Sequence, residues 1–137
     1  MTHYTLDTNA CVALINGASA TLRRRVAKAL DAGSVLCVSS VVLEELWYGA
    51  ERSARPAYNA ERVRTFLAGA VEILPFDDAD ARAAGTVRAS LERDGTSVGA
   101  YDTMIAGQAV RRGITLVTSG SDDFSRVVDL LWEDWAR

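Results

Sequence analysis

The segment GAYDTMIAGQAVRRGITLVTS, residues 99–119, predicts a helix that leads into a buried strand. The residues after Asp102 are mostly small or apolar, as in a helix packed on a sheet, and ITLVTS at residues 114–119 is predicted to be that strand. An exposed, solubilising charge has no special reason to lie at the front of such a helix. Asp102 therefore either caps the helix or is one of several carboxylates that meet at a metal ion.

The same alternation of helix and strand runs through the rest of the chain. Further strands are predicted at HYTLDT, SVLCVSS and VEILPF (residues 3–8, 34–40 and 71–76), and a final, edge-like strand at DLLWEDW (residues 129–135). Helices are predicted over residues 10–15, 20–33, 41–52, 58–70 and 77–95, with a loop over 96–101 and a loop or short helix over 120–127. This order predicts an α/β fold with a mostly parallel sheet of about five strands and helices on both faces.

Length and composition predict a single domain over residues 1–137, because 137 residues that are 49% apolar can fill one core. The sequence has no apolar run of about 18 residues and no basic segment followed by an apolar one at its start. We therefore expect a cytoplasmic protein without a membrane span. Cys11 and Cys37 lie in separate apolar segments, and we expect buried free thiols.

The net charge of −3 is atypical of nucleic-acid-binding proteins, which usually carry a basic patch. Nearly all the cations are arginines, however, and Lys28 is the one lysine. Several of them cluster and could bind phosphates in bidentate fashion or simply form a solvated face. These are Arg23, Arg24, Arg25, Arg52, Arg55, Arg62, Arg64, Arg111 and Arg112.

Acidic residues converge on one edge of the predicted sheet. Sites in open parallel sheets form at the carboxyl ends of the strands, near the point where the strand order reverses. Asp7 ends the first strand and Asp102 begins a helix at the same edge. Glu45 lies one turn into the helix after the second strand, on a partly apolar face that favours an inward carboxylate. Asp122 and Asp123 follow the fourth strand directly.

Carboxylates that share one crevice repel each other unless a cation neutralises them. Mg²⁺ or Mn²⁺ would suit an all-oxygen site and favour a phosphate or phosphodiester substrate, with one ion or two. Each acid also has an ordinary structural explanation. Asp7 could be a turn or N-cap residue, Glu45 a solvated helix charge, and Asp122 and Asp123 plain loop acids.

Four motifs in order resemble those of PIN-domain proteins, specifically the VapC-type toxins of bacterial toxin–antitoxin pairs, and the resemblance spans nearly the whole chain. They are LDTN, EELWYGAERS, VGAYDTMIAGQAVRRG and LVTSGSDDFSRV (residues 6–9, 44–53, 98–113 and 116–127), followed by WEDW at 132–135. The resemblance implies a PIN-like three-layer fold and a Mg²⁺-dependent endoribonuclease. It implies Asp7 and Asp102 as metal ligands, with Glu45 rather than Glu44 as the third.

The resemblance also implies partners. The substrate would be RNA, by subgroup features initiator tRNA cut in the anticodon region, and a VapB-like antitoxin would cover the groove with its C-terminal segment. Independently, Trp47, Tyr48 and Trp132 are large rings on segments predicted to be partly exposed. Such rings often mark interfaces, so we expect a homodimer.

The chain departs from the family pattern at Gly120, where VapC-type toxins usually have Asn or Asp. We expect Asp123 to act as the fourth, supporting acid, with Asp122 as the less favoured substitute. The missing side chain also leaves open a catalytically weakened PIN module that acts mainly through partner binding. A phosphotransfer domain fits less well, since Asn9 stands where a dehalogenase-type phosphatase needs a second Asp and Lys28 lies in a remote helix.

Overall fold

A computed structural model of the chain describes residues 1–137, apart from the side chain of Ser121. The strands are β1 (His3–Leu6), β2 (Val35–Ser39), β3 (Val71–Leu74), β4 (Thr115–Val117) and β5 (Trp132–Glu133). The helices are α1 (Thr8–Asn16), α2 (Ala20–Asp31), α3 (Ser40–Arg52), α4 (Pro56–Leu67), α5 (Asp78–Arg93), α6 (Ala100–Arg112) and the short α7 (Ser121–Phe124).

The five strands form one sheet in the order β3-β2-β1-β4-β5, and every neighbouring pair is parallel. The chain builds outward from β1 to β3 and then crosses to β4 on the other side of β1. Strand order therefore reverses at β1, and the carboxyl ends of β1 and β4 border the crevice where parallel sheets place their sites. The predicted α/β class with a parallel, helix-flanked sheet is confirmed.

Helices cover both faces of the sheet. Successive side chains of a strand point to opposite faces, and all four residues from Leu36 to Ser39 are buried. Leu6 on β1 and Leu116 on β4 are also buried, as are Cys11 and Cys37, which are free thiols as expected. The β-branched and leucine-rich strand sequences are typical of strands buried on both faces.

The last strand is much shorter than predicted. The expectation of a strand over 129–135 is wrong in extent, because β4 offers only three residues and β5 pairs through Trp132 and Glu133 alone. Beyond β5 the chain turns inward, and the Trp135 ring is 2% exposed and packs edge-on against Tyr4 at 4.7 Å between centroids. The C-terminal segment therefore closes the core rather than extending the sheet.

Helices α5 and α6 pack as an antiparallel pair at very short range. A Cβ atom on Gly107 would lie 2.5 Å from both the Cα and the N atoms of Ala84. No side chain fits at that distance without moving a backbone. Glycine at position 107 thus sets how closely α6, which carries Asp102, approaches α5.

A buried carboxylate fastens one end of this helix pair. Asp80 is fully buried and accepts hydrogen bonds from Gln108, Arg111 and Arg112 at 2.8–3.2 Å. Its Oδ2 also accepts the Asp77 amide hydrogen, which completes a capping box at the start of α5. Burial alone would raise the pKa of Asp80, but these hydrogen bonds, led by Arg112, hold it well below its usual value.

In the part of the chain that the structure describes, no helix is both long and apolar enough to cross a membrane.

The glycine contact yields a test of this packing with a matched control. We expect Gly107→Ala to lower the free energy of unfolding by about 1–3 kcal/mol, because the new methyl group overpacks the α5–α6 contact. Gly85→Ala is the control, since Gly85 lies on exposed α5 surface with open space around its Cα. There we expect a gain of about 0.5–1 kcal/mol from helix propensity. Urea unfolding of the three proteins checks both signs, and a neutral or stabilising Gly107→Ala would contradict the packing.

Candidate active site

Asp7 lies where β1 ends and α1 begins. It therefore both caps α1 and faces the crevice at the carboxyl ends of β1 and β4. Its Oδ1 accepts the Ala10 amide hydrogen at 2.8 Å, and its own amide donates to the Val117 carbonyl at 3.1 Å. The Thr118 hydroxyl, just after β4, lies near the same carboxylate and lowers its pKa. The N-cap explanation of Asp7 is therefore correct, and it leaves Asp7 in the crevice beside other acids.

Like charges surround this carboxylate. Burial is the largest effect and raises the pKa of Asp7, and the negative charges of Glu45 and Asp134 raise it further. The Thr118 hydroxyl and the hydrogen bond from the Ala10 amide act in the opposite direction but do not cancel the effect. Asp7 is thus held in a position where a nearby cation would be strongly favoured.

Glu45 is the partly buried member of the Glu44–Glu45 pair. The Thr8 hydroxyl donates to its Oε1 at 2.7 Å, which ties α3 to the first turn of α1 beside Asp7. Glu44 is exposed, and its charge raises the pKa of the Tyr101 hydroxyl instead. The structure therefore brings Glu45, and not Glu44, to Asp7.

Asp102 lies in the first turn of α6 but does not cap it. The N-cap residue is Gly99, so the simple capping explanation fails. Burial raises the pKa of Asp102, and the charges of Asp123, Glu45 and Asp7 raise it further, in that order. Asp102 is thus within electrostatic range of the three other predicted site acids.

The two acids of α7 differ in their surroundings although both are exposed. The charge of Asp123 acts on Asp102, whereas Asp122 is not among the groups that shift it. The neighbouring Phe124 ring is 3% exposed and anchors the short helix in the core. Asp123 therefore lies on the site side of α7.

Asp134 is a member of this acidic group that sequence reasoning missed. It directly follows β5, and its charge acts on Asp7. The signal was available, because an acid immediately after a parallel edge strand must lie at the same carboxyl edge as the others. The predicted final strand runs through residue 135 and so places Asp134 within the strand rather than at its end.

The backbone at Gly120 lies close to the Thr118 side chain. The Gly120 amide donates to the Thr118 Oγ1 at 2.9 Å, and a Cβ at position 120 would lie 3.3 Å from that oxygen. The Thr118 hydroxyl therefore accepts a hydrogen bond from Gly120 on one side and lies near the Asp7 carboxylate on the other. The backbone of this loop thus orients Thr118 toward Asp7.

The donor set around Asp7 consists of oxygens. It comprises three carboxylates with the Thr8 and Thr118 hydroxyls beside them, the chemistry that hard divalent cations prefer. Among the described residues, no three His, Cys, Asp or Glu side chains are close enough together to hold a metal ion as they stand. The four predicted acids are therefore brought within electrostatic range of one another without forming a closed ligand cluster. His3 is exposed at the start of β1.

Some arginines form ion pairs with a buried carboxylate, and others lie over aromatic rings at the surface. Arg111 and Arg112 form ion pairs with the buried Asp80, a structural role that the sequence did not predict. Elsewhere guanidinium groups lie over exposed rings, with Arg55 4.0 Å from the Tyr58 centroid and Arg52 5.8 Å from that of Tyr48. Arg64 lies similarly over Trp47, and Arg62 over Tyr58.

An apolar groove between α1 and α4 leads toward Glu45. Its first part has a volume of about 600 Å³ and is lined by Leu14, Ile15, Tyr58, Glu61, Arg62, Thr65 and Phe66. A second part of about 370 Å³ shares Ile15 and Arg62 with the first and reaches Glu45. We call the two parts together the α1–α4 groove.

Comparisons with known proteins agree with this architecture. The family model described as PIN domain matches residues 4–130. The tRNA(fMet)-specific endonuclease VapC of Shigella flexneri is 41% identical over 136 residues, which cover 99% of this chain and all of that protein.

Solved structures extend the similarity to the fold. The structure of DNA-bound VapBC from Salmonella typhimurium has a chain of 39% identity with a TM-score of 0.90, covering 98% of this chain and 99% of that one. VapBC2 from Rickettsia felis bound to a promoter DNA fragment has a chain of 31% identity and a TM-score of 0.91, with the same coverage. The chain therefore belongs to the PIN-domain family, among the VapC proteins of toxin–antitoxin pairs.

Proposed function

We propose that this protein is an endoribonuclease toxin that cuts initiator tRNA in the anticodon region and is neutralised by a VapB-like antitoxin. The observation that carries the proposal is the buried Asp7 at the sheet's switch point, coupled to Glu45 and Asp102. The full-length similarity to a tRNA(fMet)-specific endonuclease supports the substrate. The cytoplasm, where tRNA resides, is the proposed location.

We propose Mg²⁺ as the cofactor, with Mn²⁺ as a substitute, held by Asp7, Glu45 and Asp102. An oxygen-only donor set and the mutual repulsion of its carboxylates support a hard cation. When bound, such an ion supplies positive charge and Lewis acidity for the hydrolysis of a phosphodiester. Titration of the protein with Mg²⁺ counts the bound ions, one or two.

The residues of the chain then have separate tasks. The Ala10 amide and Thr118 orient the Asp7 carboxylate, and Thr8 orients Glu45. Asp123 is exposed beside Asp102, where it can accept a proton from an attacking water.

The α1–α4 groove is the proposed binding place of the antitoxin. VapC relatives are found in VapBC complexes, and a segment seated in this groove would continue to Glu45 and cover the site. Its apolar floor suits the apolar face of a helix. We also propose a homodimer, supported by the exposed Trp47 ring. Trp132 is half-buried, and Tyr48 lies one turn after Glu45, beside the acids of the site.

Gly120 favours one alternative function. The site lacks the side chain that the family usually supplies there, which would suit a PIN module that acts mainly by binding its partner. Assays of RNA cleavage and of antitoxin binding distinguish this alternative from the nuclease, since such a module would bind the antitoxin without cutting RNA.

The proposed cofactor predicts the ionic requirements of cleavage. Purified protein should cut initiator tRNA in Mg²⁺ or Mn²⁺ and lose activity in excess EDTA, whereas His3→Ala should cut normally because His3 is exposed at the start of β1. Mg²⁺ should also raise the melting temperature of the wild type more than that of Asp7→Asn, since the ion relieves repulsion among the acids. Asn caps helices as well as Asp, so that variant should fold.

Two outcomes would contradict this prediction. They are cleavage that persists in EDTA and loss of cleavage in a folded His3→Ala protein. Sequencing of RNA ends from cells that express the protein checks the substrate separately. Dispersed cuts in messenger RNA with intact tRNA would remove the tRNA assignment and leave the nuclease in place.

A second prediction distinguishes the two acids of α7. Asp123→Asn should lower the cleavage rate by about 100-fold, as expected for loss of a group that moves a proton. Asp122→Asn is the matched control and should change little, because Asp122 is not among the groups that shift Asp102. Single-turnover cleavage measures both. Loss in the Asp122 variant alone would reverse the assignment, and loss in neither would mean that three acids suffice.

A third prediction tests the antitoxin groove with two threonines in equivalent positions. Thr65 and Thr86 are both exposed, and each donates to the carbonyl four residues earlier in its helix, at 3.0 and 3.2 Å. Thr65 lines the α1–α4 groove, whereas Thr86 lines a groove beside α5. Thr65→Arg should weaken antitoxin binding about tenfold or more, a cost above roughly 1.4 kcal/mol, and Thr86→Arg should not. Calorimetric titration measures both affinities. Weaker binding by Thr86→Arg with unchanged binding by Thr65→Arg would indicate that the antitoxin binds the groove beside α5.

A further inference from the structure

Two exposed tyrosines lie next to the site acids and have no task in the mechanism above. Tyr48 is 55% exposed and Tyr101 is 44% exposed. Tyr101 directly precedes Asp102 in the first turn of α6, and Tyr48 lies one turn after Glu45 on α3. Residues three apart on a helix share a face, so Tyr48 and Glu45 are neighbours.

The two tyrosines lie on helices that contact each other. Helices α3 and α6 are in contact, and Glu44 of α3 lies near enough to the Tyr101 hydroxyl to raise its pKa. Glu44 and Tyr48 are four residues apart on α3, which places their side chains on one strip of its surface. The two rings therefore border the same side of the acidic crevice.

The surroundings of Tyr48 suit a nucleotide. The Arg52 guanidinium donates to the Tyr48 hydroxyl at 3.0 Å and lies over its ring, which places a cation beside an exposed aromatic face. Elsewhere the crevice is acidic and repels the phosphates of an RNA strand. Neutral rings can hold RNA at such a place through its bases, because every base offers a face for stacking.

We propose that Tyr48 and Tyr101 form a stacking platform for an unpaired base next to the scissile phosphate. This inference rests on the proposed ribonuclease function and adds to it the residues that hold the strand at the site. It accounts for recognition of a single-stranded loop by a protein with a net charge of −3. It also predicts that the rings matter through their faces rather than through their hydroxyls.

The test uses conservative and disruptive variants at each tyrosine. Tyr48→Leu and Tyr101→Leu should each raise KM for a synthetic anticodon stem-loop of initiator tRNA by about tenfold or more, with a smaller change in kcat. Tyr48→Phe and Tyr101→Phe should stay within about twofold of the wild type, because phenylalanine keeps the stacking face. Ile73→Ala, at an exposed residue on β3, is the control for loss of an exposed apolar side chain.

A second measurement does not depend on cleavage. In the Asp7→Asn background, 2-aminopurine placed at successive loop positions should be quenched on binding at one position, and Tyr101→Leu should abolish that quenching. Unchanged KM and quenching in the leucine variants, with wild-type cleavage intact, would overturn the platform alone. Unchanged cleavage with loss of the dimer or of antitoxin binding would assign the rings to a protein interface. Absence of cleavage by the wild type would remove the ribonuclease function and the platform together.

Discussion

The fold and the site share one carboxylate, that of Asp7. It directly follows the central strand, accepts the Ala10 amide hydrogen that starts α1, and donates its own amide hydrogen to the Val117 carbonyl of the adjacent strand β4, with the Thr118 hydroxyl nearby. A residue with three structural partners holds its position even where like charges oppose it. The free energy of the cap and of the hydroxyl contact, each on the order of 1 kcal/mol, offsets part of the electrostatic cost of the acids around it. The crevice can therefore be acidic because the folding of its central element requires the same side chain.

Sequence periodicity was sufficient for the sheet and for most of the acids. A parallel sheet demands buried, β-branched strands separated by amphipathic helices, and these patterns are local, so β1, β2 and α6 could be placed from the chain alone. The common location of the acids could be predicted because the carboxyl ends of parallel strands lie at the same edge of the sheet. Glu45 could be separated from Glu44 by family spacing, and the structure places only Glu45 beside Asp7.

The features that the sequence did not predict depend on contacts between residues that are distant in sequence. The length of β5 is set by β4, whose three residues leave little to pair with, and nothing in DLLWEDW reveals that limit. Arg111 and Arg112 look like surface cations until α5 folds against α6 and brings them to Asp80, 31 and 32 residues away. Capping α1 and facing the acidic crevice are alternatives for Asp7 in the sequence, but both hold in the structure. A carboxylate has two oxygens with several lone pairs, so it can do both.

The arginine stacks on the α3–α4 surface have a consequence for conformational entropy. An arginine side chain loses roughly 2 kcal/mol of rotamer freedom when it is fixed, and this loss usually weakens any contact that the side chain makes. Arg55 lies 4.0 Å from the Tyr58 ring centroid, so its flat face is already covered and its rotamers are already restricted. Stacking uses the face of a guanidinium, whereas hydrogen bonding uses its edge. A carboxylate or phosphate that approaches Arg55 in the plane of the guanidinium group can therefore bind its N–H donors at a lower entropic cost. The side chain has already lost much of its rotamer freedom on folding.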